Sequence, residues 1–297
     1  MEHPFFSIVI PSRNRPRQLA RALESVTAQT FRAFETIVVN DGSTCDYAEV
    51  KSQYADMMRY VENPEAKGVS HARNVAIGLA RGSWVAFLDD DDEFTQHHLH
   101  ALHDAIALEP EVDFLWCDVN VHSRDANGGP SVRRRRWKRQ YRDREELYRD
   151  ALAIGAGFGL TVKKTYLEGV GGFDDEMRIG EDVDLVTKLL AHGAMPRPLE
   201  SVGVIKHEEH ADRLSYDGEA YSKERVFERI VERNLDFFRV HQLNKMSLLV
   251  WAATLHSQYG NVRFEADCVK EVWKMGYRKS AIKYLLRRVL GDRVELE

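Results

Sequence analysis

The sequence contains few cysteines, and they are widely separated. Only three occur in 297 residues, Cys45, Cys117 and Cys268, and no Cys-x-x-Cys pair is present. This pattern excludes a zinc ribbon and a disulfide framework as the basis of the fold. Reduced thiols of this kind are typical of a cytoplasmic protein.

Long apolar runs are also missing. No run is long enough to cross a bilayer, and the opening residues, MEHPFFSIVIPSRNR, lack the basic stretch and long apolar core of a signal peptide. We therefore expect a cytoplasmic protein, and contact with the inner face of a membrane could only be peripheral. The net charge of −5 excludes a general polyanion-binding protein, so we expect no nucleic-acid partner.

The first hundred residues alternate between strand-like and helix-like patterns. Apolar β-rich runs at 5–10, 34–40, 58–63 and 83–89 predict strands. Segments with helical spacing lie between and after them, at 16–29, 48–56, 69–82 and 95–109. Near-continuous apolar strands that alternate with helices indicate a mostly parallel sheet with helices on both faces. The fold class is therefore α/β.

The remainder of the chain divides into two parts. Residues 112–123 and 202–207 predict further strands, and 180–193 predicts a helix, whereas the sequence from about 218 onward is helical with little strand signal. We place domains at 1–217 and 218–297. The stretch VRRRRWKRQYR at 132–142 has seven cations in eleven residues. We interpret it as an exposed loop near the opening of a ligand-binding site.

Five acidic side chains follow the strand at 83–89, which is where a parallel sheet places its ligands. Asp89 to Asp92 and Glu93 stand in a row, although two like charges about 4 Å apart repel by roughly 4 kcal/mol at an effective dielectric of 20. One interpretation is a solvated turn in which an aspartate caps the following helix. The other is a binding site for a hard divalent cation, because such a cation prefers carboxylate oxygens and also binds phosphates.

Several motifs together resemble the family 2 glycosyltransferases. SIVIPSRNR, VVNDGS, GVSHARNVAIGLARGSWVAFLDDDD and GVGGFDDEMRIGEDVDLVTKL occur in the order and at the separations of that family, over roughly residues 5–215. The resemblance implies a GT-A fold, a nucleotide-diphosphate sugar donor, Mn²⁺ or Mg²⁺, and transfer with inversion at the anomeric carbon.

The resemblance also implies roles for residues at the donor end of the site. Asp91 would bind the metal directly, while Asp89 would face the ribose or reach the metal through water, and Asp92 would be a second ligand or a helix cap. Asp41 would accept the imide N–H of uracil and so favour UDP. The other residues assigned to the donor site are Pro11, Ser12, Arg13, Arg73, Asn74, Asp89 and Asp90, with Arg73 reaching the diphosphate.

A second set of residues would act at the acceptor end. By resemblance, Asp182 is the base that takes the proton of the acceptor hydroxyl, and Glu181 supports it or binds the acceptor. Acids at a helix start also complement the helix dipole, with or without catalysis. His210 is the histidine assigned to the metal site, and His207 is the rival. The histidines at 97, 98, 100 and 103 are interpreted as a solvated helix face.

Together these residues predict a metal-dependent inverting glycosyltransferase. We expect the donor to be a UDP-sugar and the enzyme to be a hexosyl- or N-acetylhexosaminyltransferase. The expected acceptor is a hydroxyl on a glycan, a glycolipid or a small metabolite. A nucleotidyltransferase, or a non-catalytic protein that binds sugar nucleotides, is the alternative. The basic helix at 276–294 leaves three roles open: packing on its own domain, contact with an anionic membrane surface, and formation of a homodimer.

Overall fold

The computed structural model describes residues 3–125, 128–138, 140–208, 225–258 and 260–290. Its contacts divide the chain into two compact units, Met1–His210 and Ala211–Glu297. The first unit is built on one mixed sheet, and the described part of the second is helical. This confirms the predicted α/β class with a helical C-terminal part, whereas the boundary at 217 stays a prediction.

Nine strands form the sheet of the first unit. They are β1 (Phe6–Ser12), β2 (Phe34–Asp41), β3 (Arg59–Asn63), β4 (Trp84–Phe87), β5 (Glu93–Phe94), β6 (Phe114–Arg124), β7 (Pro130–Arg135), β8 (Thr161–Lys163) and β9 (Pro196–His207). The strand order is β3-β2-β1-β4-β8-β6-β9-β5, and β7 pairs with β6.

Helices connect these strands. They are α1 (Pro16–Thr27), α2 (Ala48–Gln53), α3 (Val69–Leu79), α4 (His98–Leu108), α5 (Arg144–Ala151), α6 (Lys164–Gly169) and α7 (Glu181–Ala191), with a 3₁₀ turn at Ala156–Phe158. In the first half of the sheet, β1 pairs in parallel with β2 and β4, and β2 with β3. The strands therefore all end at one edge, as the alternating pattern predicts.

Strand β1 shows why helices cover both faces. Its side chains alternate between the faces, and Phe6, Ile8 and Ile10 pack into one core with α1 residues such as Leu19 and Leu23. Helix α3 packs against β1 and β2 and contributes buried residues outside that core. Apolar side chains are thus needed on both faces, which explains the near-continuous apolar runs.

The second half of the sheet is mixed. Strand β8 pairs antiparallel with β4 and β6, while β6 and β9 are parallel. The basic segment contradicts its predicted state, because Pro130–Arg135 forms strand β7, antiparallel to β6. Arg134 Nη2 lies 3.0 Å from the fully buried Asp118 Oδ2, and the Arg135 guanidinium lies 4.6 Å from the rings of Trp137 and Phe158. Contacts with residues distant in sequence, which a local sequence pattern does not show, therefore stabilise this segment.

The second unit consists of helices where it is described. They are α8 (Val226–Arg233), α9 (Leu235–Val240), α10 (Gln242–Gln258), α11 (Val262–Lys274) and α12 (Arg278–Leu290). No helix in the described ranges is long and apolar enough to span a membrane. In α12, Ala281 is buried while Ile282 and Leu285 are 45% and 44% exposed. Membrane contact, dimerisation and the cytoplasmic location stay predictions.

Candidate active site

The carboxyl ends of β1, β2 and β4 bring the predicted donor residues to one edge of the sheet. Ser12 ends β1, Asp41 ends β2, and Asp89 to Asp92 follow β4. Ser12 Oγ donates to Asp90 Oδ2 at 2.7 Å and lies 2.8 Å from the Tyr47 hydroxyl. The parallel register of β1 with β2 and β4 therefore joins segments that are far apart in sequence.

The acidic cluster, defined here as Asp89 to Asp92, is held by cations from α1 and the loop before it. Arg15 Nη1 donates to Asp91 Oδ2 at 3.0 Å and to Asp90 Oδ1 at 3.4 Å. Arg21 Nη2 donates to the Asp91 carbonyl at 2.7 Å. These contacts hold the chain in a tight turn despite the repulsion among its carboxylates.

Strand β9 supplies a further cation and a histidine to the same cluster. Lys206 Nζ lies 3.7 Å from Asp92 Oδ2, and the His207 backbone N–H donates to Asp92 Oδ1 at 3.2 Å. The His207 ring is 2.6 Å from Glu93 Oε1. Burial lowers the pKa of His207, and the Glu93 hydrogen bond opposes that shift.

The chemistry of the acidic cluster fits a divalent cation. One oxygen each of Asp89, Asp91 and Asp92 lies within 4.8 Å of the others, a span that one cation can bridge after small rotations. Burial raises the pKa of Asp90 to about 7, against the Ser12 hydrogen bond, and raises that of Asp92 to about 7, against the Lys206 charge. A bound cation would reverse these shifts by stabilising the ionised forms.

Arg73 joins the acidic cluster to the predicted catalytic carboxylates. Its side chain is 4% exposed, and its guanidinium donates to Asp89 Oδ1 at 2.9 Å, Glu181 Oε1 at 3.1 Å and Asp182 Oδ1 at 3.4 Å. Burial opposes its charge, but the three carboxylates outweigh burial and raise its pKa. Three acids around one buried cation define the centre of the site.

The start of α7 places Glu181 and Asp182. Gly180 precedes the helix with φ of 71°, a conformation that glycine adopts without a Cβ penalty. Asp182 Oδ2 also accepts the Ala156 N–H at 3.2 Å. Burial is the main cause that raises the pKa of Asp182, and burial followed by the Asp182 charge raises that of Glu181 to about 7.

The backbone at Gly155 approaches Asp182 too closely for any other residue. A Cβ at position 155 would lie 2.3 Å from Asp182 Oδ2, and one at Gly157 would lie 2.2 Å from Lys206 Nζ and 3.3 Å from Asp89 Oδ2. The segment from Gly155 to Gly157 therefore lies against both Asp182 and the acidic cluster.

Asp41 is buried and strongly hydrogen-bonded by its own chain. Its carboxylate accepts the backbone N–H groups of Lys67 at 2.9 Å and Gly68 at 2.8 Å, and the Asn63 amide at 3.0 Å. A carboxylate has about four acceptor positions, so about one is left for a ligand. This carboxylate thus anchors the loop before α3, and recognition of uracil remains a prediction.

Three other donor-site predictions differ in their surroundings. Asn74 donates to the Phe173 carbonyl at 2.9 Å and to Asp175 Oδ1 at 2.7 Å, so its amide holds the turn after α6. Pro11 lies within β1 beside Val39, and Arg13 is exposed at the end of β1. The structure thus brings Ser12, Arg73 and the acidic cluster together, whereas the Asn74 amide is hydrogen-bonded at the turn after α6 and Arg13 is exposed.

The histidine predictions have separate outcomes. His210, together with Ser215, lies outside the described residues. His98 contradicts the interpretation as a solvated face, because it is 1% exposed, and neither ring nitrogen has a hydrogen-bond partner in the described structure. Burial lowers the pKa of His98 to about 3. The three other histidines, at 97, 100 and 103, are not buried, whereas His98 lies on the face of α4 that also buries Leu99 and Leu102.

Sequence reasoning missed three residues of the site. Lys206, Arg21 and Tyr47 contact the acidic cluster or its partners, and none was assigned. A signal did exist for Lys206, which precedes the last residue of a predicted strand and so reaches the edge where ligands bind. Arg21 lies inside a segment interpreted only as a helix, and Tyr47 directly precedes another such segment.

Comparison with known proteins identifies related sequences. The sequence profile described as glycosyl transferase family 2 matches residues 7–169. A glycosyltransferase of Haemophilus influenzae, described as uncharacterised, is 30% identical over 62% of this chain and 61% of its own length. The putative colanic acid biosynthesis glycosyl transferase WcaA of Escherichia coli is 27% identical over 71% of this chain and 75% of its own.

The chain spans less than two thirds of the length of some of these relatives. The chain spans 33% of the length of the Escherichia coli glycosyltransferase YibD, which is 35% identical over 38% of this chain. It spans 61% of the Haemophilus influenzae protein. Such matches relate this chain to parts of those proteins.

Solved structures share the fold. TarS of Staphylococcus aureus has a TM-score of 0.61 at 17% identity, covering 98% of this chain and 56% of TarS. The mannosyltransferase PcManGT of Pyrobaculum calidifontis, in complex with GDP-Man and Mn²⁺, also has a TM-score of 0.61 at 17% identity, covering 98% and 81%. The curled, mixed sheet and its helices thus match GT-A glycosyltransferases.

Proposed function

Because the chain belongs to glycosyl transferase family 2, we propose that it is a metal-dependent inverting transferase that uses a nucleotide-diphosphate sugar. The observation that carries this proposal is the position of Arg73. Its guanidinium contacts Asp89, at the acidic cluster, and both Glu181 and Asp182. The carboxylates proposed for the donor end and for the acceptor end of the reaction would thus contact the same guanidinium.

At the donor end, the acidic cluster would hold Mn²⁺ or Mg²⁺ through Asp91 and Asp89, with Asp92 as a third donor. The bound cation would neutralise the diphosphate of the leaving group. The chain's own contribution is to position the carboxylates, through Arg15 on Asp91 and Arg73 on Asp89. His210 is proposed as a further ligand, and His207 is its rival.

At the acceptor end, Asp182 is the proposed general base. Inversion requires a hydroxyl to attack the anomeric carbon opposite the leaving diphosphate, and the Asp182 carboxylate would take the proton of that hydroxyl. Burial raises the pKa of Asp182, which makes its carboxylate a better proton acceptor near neutral pH. The Ala156 N–H and Arg73 orient this carboxylate, and Glu181 shares the same guanidinium.

The donor is proposed to be a UDP-sugar on the basis of Asp41. Its remaining acceptor position would receive the imide N–H of uracil, and Ser12 would lie beside the nucleotide. TarS has been solved with UDP and with UDP-GlcNAc, whereas PcManGT has been solved with GDP-Man, so both nucleotides occur within this fold. A hexose or N-acetylhexosamine is the proposed sugar, and a hydroxyl on a glycan, glycolipid or small metabolite the acceptor.

The base assignment is tested with Asp182→Asn, measured by donor binding and by release of nucleotide from the sugar donor. We expect binding to persist and turnover to fall about 10²–10⁴-fold, the contribution of a general base. Glu176→Gln is the matched control, because it removes an exposed carboxylate from the segment before α7. Turnover that persists in Asp182→Asn would contradict the base assignment, and a wild-type protein that binds donor without turnover would favour the non-catalytic alternative.

A further inference from the structure

Three side chains of metal-binding type meet in the core of the second unit, and none of them has a role assigned in sugar transfer. They are Glu228 from α8, His256 from α10 and Cys268 from α11, and they are 5%, 2% and 1% exposed. Glu228 Oε1 lies 3.1 Å from His256 Nε2 and 3.3 Å from Cys268 Sγ. We call these three residues the helical triad.

The two separations that involve Glu228 Oε1 are close to those of a tetrahedral zinc site. Zinc binds nitrogen and oxygen at about 2.0–2.1 Å and thiolate sulfur at about 2.3 Å, so the edges of such a tetrahedron are about 3.3 Å for N···O and about 3.5 Å for S···O. The two observed distances are each about 0.2 Å shorter. Small outward movements would therefore bring Glu228 Oε1 to tetrahedral separations from both partners, and the ligand atoms of all three residues lie within 4.8 Å of one another.

The hydrogen bonds of the helical triad leave its carboxylate incompletely satisfied. Glu228 Oε2 is buried and has no hydrogen-bond partner in the described structure. The nearest described cation is Arg225, whose Nε lies 3.6 Å from Oε1, and Arg225 is 44% exposed. A buried carboxylate with an unpaired oxygen is costly, and a cation at the triad would remove that cost.

From this geometry we propose that the helical triad binds one Zn²⁺ ion through Glu228, His256 Nε2 and Cys268 Sγ, with a water molecule as fourth ligand. On binding, the Cys268 thiol releases its proton to solvent and neutral His256 carries its proton on Nδ1. Zn²⁺ then carries a charge that the thiolate and the carboxylate balance. A thiolate and an imidazole favour Zn²⁺ over Mn²⁺ or Mg²⁺, so this site differs chemically from the acidic cluster.

The proposed role of this ion is structural. The triad takes one ligand from each of three helices, so a bound ion would tie α8, α10 and α11 together. Small helical units bury little apolar surface and commonly depend on such a cross-link. Because the ion binds only the folded arrangement, it would stabilise the second unit in proportion to its affinity.

The test is a Co²⁺ titration of the reduced full-length chain, followed by absorption spectroscopy. We expect one equivalent of Co²⁺ to produce a thiolate-to-cobalt charge-transfer band, which Zn²⁺ removes and a large excess of Mn²⁺ does not. Cys268→Ser should abolish the band and weaken Zn²⁺ binding by more than the roughly 10–100-fold that loss of an indirect partner causes. Cys45→Ser and Cys117→Ser are the matched controls and should keep it.

Two results would overturn the proposal. One is the absence of a thiolate-to-cobalt band in the wild-type chain with Co²⁺ in excess, a result that does not depend on how any variant folds. The other is a band that survives in Cys268→Ser and disappears in Cys117→Ser, which would place the thiolate ligand in the first unit. Circular dichroism of each variant verifies that it is folded.

Discussion

Replacing Arg73 with methionine should destabilise the first unit more than any exposed ion pair would. The substitution keeps an unbranched side chain of similar length but leaves Asp89, Glu181 and Asp182 without their shared cation. Breaking a buried ion pair by removing one partner costs about 3–5 kcal/mol. We expect Arg73→Met to lower the free energy of unfolding by about this amount at pH 8.

The effect of Arg73→Met should depend on pH in a definite direction. Burial already raises the pKa of Glu181 to about 7, and loss of the guanidinium raises it further. A carboxyl whose pKa is raised in the folded state favours folding at low pH, and that contribution is lost as the pH rises through the folded pKa. The destabilisation should therefore be smaller at pH 5.5 than at pH 8, by up to about 1.4 kcal/mol from Glu181, because pH 8 lies about one unit above its pKa.

The assay is urea unfolding with pulsed hydrogen exchange of peptides from β1 and β4, which reports on the first unit alone. Arg81→Met is the matched control, because Arg81 is 57% exposed and its ion pair with Glu35, at 2.8 Å, is worth less than about 1 kcal/mol. Equal losses for the two variants, or a loss at Arg73 that does not change between pH 5.5 and 8, would refute this explanation.

Three further predictions concern the same unit. Because burial lowers the pKa of His98 to about 3, the free energy of unfolding should be about 2 kcal/mol lower at pH 5 than at pH 8. His98→Phe should remove that part of the pH dependence in urea titrations. Gly155→Ala should lower kcat by up to about 100-fold through displacement of the Asp182 carboxylate, whereas Gly78→Ala, with nothing within 4 Å of its added Cβ, should not. Because the base must be ionised and burial raises the pKa of Asp182, the transfer rate should begin to fall at a higher pH than it would for an ordinary aspartate, whose pKa is about 4. A rate that stays constant down to pH 5 would contradict the assignment.

Patterns with a local physical cause were predictable from the sequence. The alternation of apolar strands and amphipathic helices placed β1 to β4 and α1 to α4, since each strand needs apolar side chains on both faces. The rule that ligands bind at the carboxyl ends of parallel strands then identified Asp41 and the acidic cluster. The resemblance to the family supplied Asp182, which no periodicity could distinguish from an ordinary acid at a helix start.

Features that depend on long-range partners were not predictable. Strand β7 was interpreted as a loop because four arginines suggested solvent, yet Arg134 pairs with buried Asp118 and Arg135 stacks on Trp137. The role of Arg73 at the diphosphate stays a prediction, but its ion pairs with Glu181 and Asp182, more than a hundred residues away, were not predicted. Both depend on pairings between segments that only the folded sheet brings together.

Calorimetric titration with UDP, GDP and dTDP, each with and without Mn²⁺, tests the central claim most directly. We predict that the wild-type chain binds UDP tightly only with Mn²⁺, and that Asp91→Asn loses the metal-dependent part while the exposed-site control Asp104→Asn does not. Preference for another nucleotide would retain the transferase and remove the role given to Asp41. Binding of none of the three, with or without Mn²⁺, would contradict the proposal that the acidic cluster and Arg73 form a nucleotide-sugar site.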